Sequence, residues 1–230
     1  IIDLLVDSDC DILKFSYNLL NYGSKKSIVF KNRRFNSKNE NFWIDFLMDS
    51  QKNMVWGQII KKDCLKDLYF DEKIFYCEDF LFNFQLYGKC KIIVYTDLIG
   101  YNYIKNDNSI TNNFSNKKTF DKINNIIYVF NKLLLKTKNR QLKQQLEEKF
   151  FHEVIPQIMT LCFEKNINKG QILNQYDEIA NSSIFRILTF QNYKKLKYSY
   201  AIKCIKKRNY KKLYFYSKIY QLLKKCNNFV

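Results

Sequence analysis

Phe70-Asp-Glu-Lys-Ile-Phe-Tyr-Cys-Glu-Asp-Phe-Leu-Phe-Asn-Phe84, followed by Lys91-Ile-Ile-Val-Tyr95, is the stretch on which the reading of this chain turns. Glu78 and Asp79 lie side by side in one of its most apolar and aromatic windows. An unpartnered carboxylate in such surroundings is costly, so the pair needs a cavity wall or a chemical task. A general base at the floor of a substrate cleft meets that need. Phe80, Leu81, Phe84 and Tyr87 recur at helical spacing, which predicts a helix over 78–87 with Asp79 in its first turn. There the positive end of the helix dipole favours a carboxylate. Residues 91–95 read as a strand. A helix start followed at once by a strand points to an α/β arrangement.

Outward from this stretch, residues 11–17 alternate apolar and polar and predict a strand, and 28–30 a second. Phe42, Trp43, Phe46 and Leu47 predict a short helix over 41–49. Residues 55–60, Val-Trp-Gly-Gln-Ile-Ile, are apolar and β-rich, with a short helix expected near 64–68. Residues 98–104, with Tyr101 and Tyr103, predict a strand separate from 91–95. From Lys118 the period becomes helical. Phe120, Ile123, Ile126, Ile127, Phe130, Leu133 and Leu134 form one stripe, and Leu142, Leu146 and Phe150 open a helix expected to reach Leu161 and Phe163 with a kink at Pro156. Another helix is expected over 172–180.

The ordered series 55–62, 70–82, 91–95, Tyr101-Asn-Tyr103 and Asn108-Ser-Ile-Thr111 resembles the acceptor-side half of glycosyltransferase family 2 enzymes of the GT-A fold, the kind that build bacterial surface polysaccharides. The resemblance covers about residues 10–112. It implies a partial Rossmann-like GT-A core over 1–112, which agrees with the α/β pattern of that portion, and the helical periods that follow predict an all-helical extension over 113–230. It implies that Asp79 is the catalytic base of an inverting transfer and that Glu78 contacts the acceptor or orients the base. It further implies that Trp56 lies near the cleft and stacks on a sugar ring, with Asn108 and Ser109 on the acceptor side. The donor would be a nucleotide-sugar and the acceptor a saccharide or lipid-linked saccharide. Each residue also has a plainer reading: Asp79 as a helix N-terminal charge, Glu78 as a solvated acid, Trp56 as core and Asn108-Ser109 as a turn. His152, on an apolar helical stretch, reads as structural.

Family members carry a nucleotide-binding half with an Asp-x-Asp motif that holds a divalent metal, Mg or Mn, against the donor diphosphate. Asp7-Ser8-Asp9 has that form but directly precedes the 11–17 strand, where the family places the metal motif well upstream, so it reads as a loop. The donor half is expected before Ile1, and the chain as a fragment without a complete donor site.

Composition limits the alternatives. Apolar residues make up 47 %, which excludes a disordered chain. The abundance of Lys, Asn, Ile, Phe and Tyr also fits an AT-rich coding sequence. Seven cysteines with no ligand spacing and one histidine argue against a zinc site and for reduced thiols in a cytoplasmic setting. No apolar run approaches the roughly 20 residues that span a bilayer. The net charge of +17 is concentrated: residues 179–230 hold 13 basic groups and no acidic one, leaving +4 on the rest. Tyr198, Ala201, Ile202 and Ile205, then Tyr210, Leu213, Tyr216, Ser217, Tyr220 and Leu223, predict one or two amphipathic basic helices broken near Arg208-Asn209. This tail reads as a packed helix with a solvated lysine face, as a peripheral contact with anionic membrane on the inner face of the cell, or, less well, as a nucleic-acid binder. The runner-up for the whole chain is accordingly a basic helical module that binds anionic membrane or nucleic acid without catalysis.

Overall fold

The computed structural model describes residues 9–21, 23–49, 53–105, 118–163, 167–188 and 198–227. The chain divides into two compact units, Ile1–Asn113 and Phe114–Val230.

The first unit is built on a mixed sheet. Strand β1 (Ile12–Asn21) is its centre. On one side β1 pairs antiparallel with β4 (Gln58–Ile60) along its first half and with β2 (Ser24–Ile28) along its second. On the other side it runs parallel to β5 (Ile92–Ile104), which pairs antiparallel with β3 (Arg33–Asn36). A parallel pair needs a crossover, and this one carries α1 (Glu40–Met48) and α2 (Glu78–Lys89).

The helices and sheet share an aromatic core. Phe42 of α1 lies 5.5 Å from Phe35 of β3 and 5.6 Å from Tyr87 of α2, and Phe35 lies 5.1 Å from Tyr95 of β5. Phe46 stacks on Phe80 at 5.7 Å. The expected inward set of α2 is corrected: Phe82 and Leu86 are buried, whereas Phe84 is half-buried against Trp43.

Three sequence expectations change here. The strand expected at 28–30 lies earlier, over β2. Val55–Gly57 lie outside β4, because Gly57 takes a left-handed φ of +69 so that the strand starts at Gln58, although Gly57 O still accepts the Phe15 N–H at 2.9 Å. The two strands expected at 91–95 and 98–104 are one strand. Its register against β1 slips between Phe15 and Ser16 and again between Ser16 and Tyr17, so bulges absorb the extra residues that made the sequence look interrupted.

Gly100 sits at the second slip. A Cβ there would meet Phe15 Cγ at 2.6 Å and Phe15 Cβ at 3.0 Å, so the two strands approach this closely only with glycine. Gly100→Ala is expected to destabilise the first unit by about 1–3 kcal/mol, as overpacking does. Urea denaturation followed through Trp43 and Trp56 fluorescence checks this.

The polar side of β1 is not solvated. Lys14, Ser16 and Asn18 are buried. Ser16 Oγ donates to Thr96 O at 2.8 Å and accepts from Phe30 N–H at 2.8 Å, while Asn18 Nδ2 donates to Asn102 Oδ1 and Asn18 Oδ1 accepts from Ser27 Oγ. These side chains take up the polar groups of flanking segments, as buried polar atoms must.

The second unit is helical. α3 (Lys118–Lys136) and α4 (Arg140–Thr160) pack through Phe130 and Phe150, 5.6 Å apart. Pro156 lies inside α4, and a short 3-10 turn, Leu161–Phe163, closes it. His152 is exposed, not part of the apolar face that its neighbours suggested. α5 (Lys169–Asn181) starts with a capping box between Asn168 and Gln171, and α6 (Ser183–Ile187) follows. α7 (Ser199–Lys206) and α8 (Tyr210–Asn227) pack on α4 and α5. Arg208, at φ +52, forms the break between them.

Candidate active site

α2 begins at Glu78, after Cys77 in a left-handed conformation (φ +64), which turns the chain sharply into the helix. From that start Asp79, Asn83 and Tyr87 recur every four residues and so share one helix face. All three reach the segment that leads into β4. Asp79 Oδ2 accepts the Val55 N–H at 3.4 Å. Asn83 Nδ2 donates to Asn53 O at 2.7 Å and its Oδ1 accepts from Gln58 Nε2 at 3.0 Å. Tyr87 OH donates to Gln58 Oε1 at 2.9 Å.

Lys14 approaches the same segment from β1. Its Nζ donates to Met54 O at 2.6 Å, and the residue is only 2 % exposed. Met54 C=O and Val55 N–H belong to one peptide unit. That unit is therefore held at its oxygen by Lys14 and at its nitrogen by Asp79, which brings a buried ammonium and a half-buried carboxylate to the two ends of one peptide.

The electrostatics follow from this burial. Desolvation pushes the Asp79 carboxyl above its usual value, and the neighbouring charge of Glu78 adds to the rise, while the Val55 N–H and Lys14 hold it back. Burial brings the Lys14 ammonium down to about 7, with Asp79 and Asp49 opposing that fall. The two groups thus have protonation equilibria moved toward each other, as acid–base sites require.

The clamp also fixes Trp56, between Val55 and Gly57. Its ring stacks on Tyr101 at 4.9 Å and Tyr103 at 5.1 Å, and meets Tyr17 edge-on at 4.7 Å. Trp56 is half-buried, not sealed in the core, and Tyr101 is 38 % exposed. The result is an aromatic surface beside the polar clamp.

Of the residues named from sequence, Glu78, Asp79 and Trp56 come together here, Glu78 half-buried in the same helical turn as Asp79. Asn108 and Ser109 lie outside the described residues, as do Asp7 and Ser8. Asp9 is exposed and pairs with Lys61 at 3.4 Å. Among the described residues no three metal-ligating side chains converge. Sequence reasoning missed Lys14, Asn83 and Tyr87 as parts of the site. The available signals were a lysine inside the alternation of 11–17 and an asparagine inside the run Phe80-Leu-Phe-Asn-Phe84.

No protein-family profile matches the chain, and no curated protein matches it by sequence. Solved structures that resemble its fold include two of one protein. S. aureus TarS 1-349 in complex with UDP-GlcNAc aligns with a TM-score of 0.61 at 13 % identity, over 96 % of this chain and 62 % of that one. S. aureus TarS 1-349 aligns with a TM-score of 0.57 at 13 % identity, over 96 % and 61 %. This chain thus spans under two thirds of the length of the proteins it resembles. Its fold, like theirs, is a partial Rossmann-like core followed by a helical C-terminal region.

Proposed function

We propose that this chain is the acceptor-side portion of an inverting glycosyltransferase of the family 2, GT-A type, with Asp79 as the base. The observation that supports this most directly is the setting of Asp79: a carboxylate at a helix start, desolvated, oriented by the Val55 N–H and backed by Lys14. In the reaction Asp79 takes the proton of an acceptor hydroxyl. The acceptor oxygen forms a bond to the anomeric carbon as the bond to the donor diphosphate breaks, and the configuration inverts. Desolvation matches the carboxyl to this work, because a base of raised pKa holds the proton more strongly. Lys14 keeps enough of it ionised to act. Glu78 is placed to orient the base or hold the acceptor, and the Trp56 ring offers a face for a sugar. Asn108 and Ser109 complete the acceptor side on this reading.

The donor is a nucleotide-sugar; a neighbour in fold was solved with UDP-GlcNAc, which makes that compound the first probe. The acceptor is a saccharide or lipid-linked saccharide in the synthesis of a bacterial surface polysaccharide. A divalent ion on the donor diphosphate and work on the cytoplasmic side of the membrane belong to the same proposal. Incubating the full-length protein with UDP-GlcNAc and other nucleotide-sugars and following nucleotide release tests the reading. Release that proceeds unchanged in Asp79→Asn overturns it. Trp56→Ala is expected to raise the acceptor KM roughly tenfold with a smaller change in kcat, and Trp56→Phe to restore most of the loss. Initial rates at saturating donor separate the two constants.

A further inference from the structure

Helix α8 departs from the amphipathic pattern that its sequence suggested. Its inward side is narrow: Leu213, Tyr214 and Ser217 are buried, where it packs on α4 and α5. Leu223, expected inward, is 61 % exposed, and Phe215, Ile219 and Leu222 are exposed at 55 %, 59 % and 54 %. These four positions fall within one arc of the helix and run along about 12 Å of its axis. They form an apolar stripe on the side away from the packed face.

The stripe has a basic border. Lys211 and Lys212 are exposed one turn before it and share its arc. Lys169 Nζ stands 4.7 Å from the Phe215 ring centre, and Lys218 Nζ stands 5.0 Å from that of Tyr214. Lys203, Lys206 and Lys207 add exposed charge on α7 and the turn after it. Asp177 of α5 already takes the Tyr210 hydroxyl at 3.0 Å and Arg208 at 3.8 Å. No acidic residue follows Glu178 in the sequence.

An occupant of this face has to be apolar in the middle and negative around it. A second copy of the chain is apolar but would set Lys211 and Lys212 against their own copies, and like charges across an interface are unfavourable. A nucleic acid is negative but offers nothing aliphatic for Ile219, Leu222 and Leu223. No described helix is long and apolar enough to cross a membrane. A helix with a short apolar stripe and lysines beside it instead lies in the plane of the lipid interface.

We infer that the outward face of α8 docks on an anionic lipid bilayer. Phe215, Ile219, Leu222 and Leu223 enter the boundary between headgroups and acyl chains, and Lys211 and Lys212 pair with lipid phosphates. This contact is independent of the chemistry at Asp79.

Co-sedimentation of the full chain with sucrose-loaded vesicles tests it. Vesicles of phosphatidylglycerol and phosphatidylcholine are expected to bind at least tenfold better than pure phosphatidylcholine, and binding should weaken as salt is raised. Changing Phe215, Ile219, Leu222 and Leu223 together to Ser should reduce partitioning at least tenfold, as should Lys211→Ala with Lys212→Ala. All six side chains are exposed, so circular dichroism and Tm should show the fold retained. Equal binding to neutral vesicles, or anionic binding that the four-serine variant keeps, overturns the inference. So does the absence of vesicle binding, including the case where the wild type forms a dimer that the four-serine variant does not.

Discussion

Asp79→Asn in the full-length protein should lower kcat for sugar transfer by about two to four orders of magnitude, the range that a positioned general base contributes. Asn keeps the shape of the side chain, and its carbonyl oxygen can still accept the Val55 N–H. The clamp on the 54–55 peptide should therefore survive while the proton acceptor is lost. Stability should move the other way. The Asp79 carboxyl is raised in the folded protein, mainly by desolvation, so folding disfavours its charged form. That cost is absent below the ordinary aspartate range, where both folded and unfolded states are protonated. It grows as pH rises and is complete above the raised folded value. At pH 7 the asparagine variant should thus melt at the wild-type temperature or slightly above it. A fall in both activity and Tm would instead mean that Asp79 serves mainly to hold the fold. Loss of transfer at unchanged or higher Tm is what a base placed at a cost to stability predicts.

Lys14→Met should have the second-largest effect, and its signature is a pH dependence. The substitution keeps the length and apolar stem of the side chain but removes the donor to Met54 O. A buried carbonyl left without a partner costs about 1–3 kcal/mol. It also removes the positive charge that holds the Asp79 carboxyl down, so the acidic limb of the pH–rate profile should move to higher pH. The stability profile gives an independent measurement. The Lys14 ammonium titrates at about 7 in the folded protein and at the ordinary lysine value, 10.5, when unfolded. Below 7 both states carry the proton, and the whole cost of burying the charge is present. Between 7 and 10.5 the folded state releases the proton while the unfolded state keeps it, so wild-type stability rises with pH, by up to about 1.4 kcal/mol per unit. Lys14→Met lacks that rise. Chemical denaturation of both proteins at pH 6, 7.5 and 9 should show the wild type gaining on the variant across the series. Parallel profiles would mean that the Lys14 ammonium is not depressed and that its role is only to pack.

The sheet shows how far local patterns carry. β1 and the two halves of β5 were legible because alternation and β-branched runs are local properties of the chain. That the halves are one strand was not legible, since a bulge is defined by the partner strand, here Phe15 to Tyr17 opposite Thr96 to Tyr101. Trp56 was legible as an aromatic that is either core or cleft wall. Its stack on Tyr101 and Tyr103 depends on the parallel pairing of β1 and β5, which brings together residues more than forty positions apart. α8 misled for a related reason. Its apolar residues surround much of the helix, so periodicity alone could not say which arc the neighbouring helices would cover.

Local sequence alone carries the α/β-then-helical order of the chain, the acidic pair at the start of a helix and the concentration of positive charge after Glu178. These are properties of neighbouring residues, set by spacing, propensity and charge. Long-range packing settled that Asp79 shares a peptide with a buried Lys14 and that Phe215, Ile219, Leu222 and Leu223 of α8 face outward while Leu213 faces in. Desolvation and partnership depend on what packs around a side chain, and those neighbours come from distant parts of the chain.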